Sequence, residues 1–231
     1  MALTRVKNPG NFTVDGSVGI GTSSFNSKLE VKGNSADGSV RVIPNSDNAE
    51  ASIGYYQDTA GTNMTDRWVA GVGGWGNTNQ FTIGNSGSPK LKIDTSGRVT
   101  TPNQPSFAAS KNNGHLSSGT FIYNDVKHNV GNHYNSSNGR FTAPVTGRYF
   151  IGSMLMSMNG ATYNNTSYII AKNGTMFQRA YNSSGGAFHH QFQWSGIVSL
   201  NASDYVTIVY SNAIMYGVDS SYSWFSGHLL G

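Results

Sequence analysis

The side chains that could do covalent chemistry are few and poorly spaced for it. Hydrolysis of a polysaccharide generally needs two carboxylates about 5 to 10 Å apart, one as acid and one as nucleophile or base. From residue 105 onward the chain has no Glu and three Asp: Asp125, Asp204 and Asp219. Asp204 follows Asn-Ala-Ser at the start of an apolar alternation, a position suited to holding a turn. The earlier half is richer in acids, with Glu30, Glu50, Asp58 and Asp66 among them. All six histidines lie after residue 105. His189 and His190 are adjacent, so on a strand they point to opposite faces and do not chelate one ion within one chain. His128 and His133 flank a loop, and a metal shared across a symmetry axis stays open in principle. With no cysteine there is neither a thiol nucleophile nor a structural Cys-zinc site. The Asn-x-Ser/Thr triplets at Asn135, Asn165 and Asn182 are expected by chance in a chain this rich in Asn and Ser. These residues point to no enzyme, no cofactor and no metal centre.

The elements that would position any site are strands. Charged residues make up 11% of the 231 positions, far below the usual ~25%, and Asn, Ser, Thr and Gly fill the gap. Such residues favour tight turns between short strands, so an all-β chain is expected. The net charge of +4 is scattered without a basic cluster, unlike the patch that nucleic-acid binding concentrates. No apolar run approaches the ~20 residues of a membrane span, and the N-terminal stretch MALTRVKNPGNF has no apolar segment of a secretory signal, so neither is expected.

A composition shift at the Pro-rich stretch SPKLKIDTSGRVTTPNQP divides the chain near residue 105. Before it, KLEVKG, SVRVIP, QFTIGN and KLKIDTSG read as short alternating strands running into turns. After it, RYFIGSMLMSM (148–158) is apolar on both alternating faces, Phe150, Met154, Met156 and Met158 on one, Tyr149, Ile151 and Leu155 on the other. DYVTIVY is similar, whereas FHHQFQWSGIV sets Phe188, Phe192 and Trp194 against His189, Gln191 and Gln193. A strand with one wet face alternates cleanly, so 148–158 should be buried on both sides. One small sandwich supplies a single core, and the economical cover for the second face is an identical subunit. In NGRFTAPVTGRYFI (138–151), Pro144 fixes φ and Gly147 permits a positive φ in a turn before the aromatic pair Tyr149 and Phe150.

Two resemblances organise these observations. GSVGIGTSSFNSKLEVKG (16–33) resembles a segment that recurs in bacteriophage tail-fibre shafts, departing from it at Phe25, where Pro is common. Tyr123, Asn129, Tyr134, Phe141, Gly147 and Tyr149 have the spacing of the signature of C1q-like domains, trimeric jelly rolls related to tumour necrosis factor. The closing WFSGHLLG (224–231) is similar to that family's last strand, with His228 in place of a Phe; Tyr123, Ile151 and Ser153 are further departures. The resemblance implies that Phe141, Gly147 and Tyr149 build a fold and are no site. Together the two imply a virion-attachment segment at 1–16, a β-rich shaft over 17–104 and a C1q-like jelly-roll β-sandwich head over 105–231. In such a threefold shaft the acids of the first half offer no pocket to one chain alone.

If the strand order follows that family, three loops lie at the end of the head away from its termini: 158–167, 181–187 and 212–222. Each combines Tyr with Asn or Ser and Gly, a rigid aromatic face with adaptable hydrogen bonding, as recognition loops do. Tyr163, Asn164, Asn165, Tyr181, Asn182, Tyr216 and Asp219 are the candidate receptor-binding residues. The expected function is a homotrimeric virion fibre, bound to another virion protein through its N-terminal segment, whose head binds a host-cell surface glycan or protein. The expected location is the virion surface, with no nucleic acid and no membrane insertion. A structural appendage or capsid decoration protein is the alternative, and a polysaccharide depolymerase ranks below both on its carboxylates.

Overall fold

The computed structural model describes residues 18–20, 29–31, 40–58, 60–63, 65, 67–85, 87–158, 165–182 and 189–231, with backbone alone at 18–20, 30–31 and 182. The expected attachment segment 1–16, most of 16–33, Phe188, and the loop residues Tyr163 and Asn164 lie outside the described residues. Two compact units divide the chain, Met1–Thr100 and Thr101–Gly231.

In the first unit, β1 (Val18–Ile20) and β2 (Leu29–Val31) form a parallel pair. β3 (Ala51–Tyr55), β4 (Trp68–Val72), β5 (Phe81–Asn85), β6 (Ser88–Ile93) and β7 (Val99–Thr100) make an antiparallel meander in chain order. Asp94 makes the last turn by accepting from the backbone N–H groups of Ser96 and Arg98, with Arg98 Nε 2.7 Å from its other oxygen. Gly97 occupies the positive-φ position of that turn, at φ 77°. One expected strand is absent: residues 40–44 of SVRVIP are irregular, because alternation alone forms no strand without a neighbour to complete its ladder.

The second unit is a two-sheet jelly roll. Its strands are β8 (Ser106–Ser110), β9 (Gly119–Thr120), β10 (Asp125–Val130), β11 (Tyr134–Asn135), β12 (Arg140–Thr142), β13 (Gly147–Met156), β14 (Thr166–Lys172), β15 (Thr175–Asn182), β16 (Gln191–Leu200), β17 (Tyr205–Ser211) and β18 (Trp224–Leu229). One sheet has the order β10-β8-β18-β13-β16; the other is β11-β12-β17-β14-β15, with β9 also on β17. Sequence-distant strands thus lie side by side, β8 next to β18 and β12 next to β17.

Aromatic residues fill the space between the sheets. Phe107 stacks on Tyr134 and Phe141 with centroids 5.0 and 4.7 Å away and meets Phe225 edge-on at 4.8 Å. Phe141 and Tyr149 are fully buried, and the Tyr149 hydroxyl donates to the Val145 carbonyl at 2.7 Å. Gly147 opens β13 without a positive φ, and its role is to leave room: a Cβ there would stand 2.8 Å from Leu229 Cδ1.

Within one chain the two faces of β13 are unequal: the inner face is core, while the outer face, for which an identical subunit is the expected cover, is buried only in part. Tyr149, Ile151, Ser153 and Leu155 point into the core. On the outer face Phe150 and Met156 are only half-buried, partly sheltered by neighbouring strands: the His228 ring lies 5.6 Å from Phe150, and Trp224 covers Gly152. Ile197, paired with Phe150 on the same face, is 58% exposed.

Candidate functional site

The strand order sets where the loops emerge. Ser106, Gly147, Leu200 and Leu229 mark one end of the unit, tied by the Arg148 N–H bond to the Gly231 carbonyl, and the segments after β13, β15 and β17 leave from the other. Met215 secures that far end, pairing with both Leu116 and Ser157, while the Tyr216 N–H donates to the Met156 carbonyl.

The candidate residues fall into separate groups. Asn165 and Tyr181 meet: the Tyr181 hydroxyl bonds Asn165 Oδ1 at 2.5 Å, and Asn212 Nδ2 donates to the Asn165 carbonyl. Asn165 holds φ 63°, a conformation Asn tolerates better than most side chains. Tyr216 joins a different set, its ring 5.1 Å from His115, 6.1 Å from His189 and 5.2 Å from Tyr222. Asp219 turns inward on its own loop: it accepts from the Ser221 N–H at 2.8 Å, capping the 3-10 turn Ser220–Tyr222, and those Ser221 hydrogen bonds lower its pKa. Of Asn182 the backbone alone is described, in β15.

Sequence reasoning did not include His115, His189, Tyr222 and Asn212 in the site. His189 Nδ1 lies 2.8 Å from the Ser157 carbonyl, and His115 Nδ1 accepts from the Gly217 N–H. His115 and Tyr216 are 101 positions apart, so no local spacing could pair them. Beneath this set lies Lys111, 5% exposed, whose ammonium donates to the Asn113 carbonyl and to Asn124 Oδ1 and whose pKa is lowered by desolvation. Gly217 packs directly on this layer, since a Cβ there would meet the Gly114 carbonyl oxygen at 2.2 Å.

The three acids of the unit are engaged separately. Asp125 pairs with Lys127 at 2.6 Å. Asp204 accepts from Asn173 Nδ2 at 2.7 Å and from the Asn201 N–H, and pairs with Lys172 at 3.0 Å, which together bring its pKa down to about 2. A carboxylate depressed in the folded state contributes stability above its ordinary pKa of 3.8, and that contribution is lost as pH falls from there through about 2. Asp204→Asn should therefore lower the melting temperature at pH 7, with the difference from wild type shrinking as pH falls from 3.8 and vanishing only below about 2 in parallel thermal melts. Among the described residues no group of three His, Asp or Glu is placed to hold a metal ion. No helix among them is long and apolar enough to cross a membrane.

The globular domain of zebrafish complement 1qA protein is similar at 14% identity and a TM-score of 0.45, over 55% of this chain and 98% of that one. Two crystal structures of murine APRIL, at pH 8.5 and pH 5.0, are similar at 12% and 13% identity with TM-scores of 0.44 and 0.46, each over 55% of this chain and 99% of the other. The family model for the C1q domain matches residues 106–230, more than half of the chain, and the protein belongs to the C1q domain family.

Proposed function

We propose that the protein is a homotrimeric virion fibre whose C1q head binds a receptor, a glycan by preference, on the surface of a bacterial host. The observation that carries the trimer is the outer face of the β10-β8-β18-β13-β16 sheet, where Phe150, Met156 and Ile197 remain accessible on a strand pair whose other side is core. A second apolar surface lies at the sandwich edge, where Met176 and Phe177 of β15 are exposed and Phe177 meets Trp194 of β16 edge-on at 6.2 Å. Two different sticky surfaces on one subunit favour a heterologous ring, edge of one copy against face of the next.

The tyrosine and asparagine residues at the end of the head away from Ser106 and Gly231, Tyr181 with Asn165 and separately Tyr216, support recognition. Sugars present hydroxyls on one edge and C–H faces on another, and Tyr with Asn complements both. Three copies per head and many fibres per particle turn weak sites into firm adhesion. The fibre setting rests on the sequence resemblance of residues 16–33, with residues 1–16 as the segment that docks on another virion protein.

The test is adsorption of the purified full chain to a panel of bacterial strains. The wild-type protein should bind some strains and be displaced by free surface glycan. Tyr163→Ala, Tyr181→Ala and Tyr216→Ala combined should abolish binding while light scattering still reports a trimer. Unchanged binding by the triple variant would remove the apical site. A stable wild-type trimer that binds no strain would favour a structural appendage or capsid decoration role.

A further inference from the structure

The first unit has its burial inverted. β4 and β5 bury Val69, Gly71, Thr82 and Gly84, while Trp68 and Phe81, each 41% exposed, and Val72 stand outside. The register places the outside set on one face: Ile53 pairs with Ala70, Ala70 with Ile83, Ile83 with Leu91, and Val72 with Phe81, Phe81 with Ile93, Ile93 with Val99. This face is apolar across all five strands.

The opposite face has its own cover. The loop after β4 folds back so that Trp75 lies over Gly84, where a Cβ would meet its ring at 2.9 Å. The Thr82 hydroxyl donates to the Gly71 carbonyl, and Lys92 Nζ donates to Asn77 Oδ1 at 2.9 Å. Gly71, Thr82 and Gly84 are thus sheltered with Val69, while Ile53, Trp68, Val72, Phe81 and Val99 are exposed and Ile83, Leu91 and Ile93 half-buried, an apolar surface that a self-sufficient sheet would cover.

We propose that the occupant of this face is the same face of the other copies of this chain, three β3–β7 sheets turning their apolar sides toward one another to form a hydrophobic shaft interior. Size decides why the head is needed. Five strands about 4.8 Å apart and about 16 Å long present about 400 Å². That is as large as the biggest apolar patch of an ordinary monomer, yet below the ~800 Å² per partner of a typical specific interface. The sheet is therefore a weak assembler by itself and a strong one when tethered, and Thr100 joins directly to the unit that carries the C1q domain. Trimeric heads would hold the sheets at high effective concentration. The inference rests on the homotrimer proposed above.

The chain has no cysteine, so single thiols report proximity cleanly. Ile83→Cys sits at the centre of the apolar face on the middle strand, Ala70→Cys beside it on β4, and Lys92→Cys on the covered face. Each full-length variant is sized by light scattering and then oxidised mildly. The expected result is a trimer in which Ile83→Cys and Ala70→Cys form disulfide-linked dimers, two chains pairing and the third left over, while Lys92→Cys does not. Ala70→Cys guards against a packing loss specific to Ile83. A trimer in which neither face position crosslinks, or in which Lys92→Cys crosslinks equally, overturns the inference and leaves the trimer standing. Cover of the face by another segment of the same chain would appear as thiols that neither crosslink nor react with maleimide, and overturns it too. A monomeric chain overturns both readings.

Discussion

Ile197→Glu should convert the proposed trimer into monomers without unfolding the head. Ile197 is 58% exposed in one chain and points away from the core, so a carboxylate there costs an isolated subunit little. In the proposed assembly the same position is covered, and each subunit would carry an uncompensated buried charge costing about 3–5 kcal/mol. Three copies per trimer make that decisive. Light scattering at the concentration where the wild type is trimeric reads the outcome, and far-ultraviolet circular dichroism checks that the monomer keeps its β content. A trimer unchanged by the substitution would rule out this face as the contact and shift attention to the Met176–Phe177 edge.

Phe107→Ala should have the largest effect on stability. The ring is 1% exposed, stacked against Tyr134 and Phe141 and capped edge-on by Phe225, so truncation leaves a hole bordered by both sheets. Loss of a buried Phe costs about 3–5 kcal/mol, and rigid aromatic walls collapse poorly into the gap. Melting should fall by about 10 °C or more, compared at equal protein concentration because association adds to apparent stability. A drop of a degree or two would mean that the stack is looser than its spacing implies. Phe107→Leu, which keeps most of the volume, should lose much less.

Much of the head is legible in the sequence. Phe141, Tyr149 and the closing WFSGHLLG sit where the signature placed them, because large aromatics on short strands have few places to go but a core. The alternation of KLKIDTSG gave way to a turn at the glycine, where Asp94 and a positive φ act within five residues. These are local effects, carried by side-chain chemistry over a few positions.

The candidate site was legible only as a set of loops. Tyr181 with Asn165, and Tyr216 with His115 and His189, are joined by β13, β14 and β17 crossing the sandwich, and no spacing along the chain encodes such meetings. Gly147 has the sequence context of a turn residue, but it is needed for the close approach of Leu229, a residue of the last strand. SVRVIP shows the reverse limit, a strand pattern with no neighbour to pair with.

By itself the sequence determined the all-β class, the change of character near residue 105 and the aromatic identity of the core. Composition and period-two alternation act on every residue at once and tolerate no other regular structure. Tertiary structure decided which face of each alternating strand is inside. In β4 and β5 it buried Val69, Gly71, Thr82 and Gly84, with Trp75 over Gly84, and left Trp68 and Phe81 outside. A pattern of alternate residues states that two faces exist; what covers each depends on surfaces brought by distant segments or by other chains.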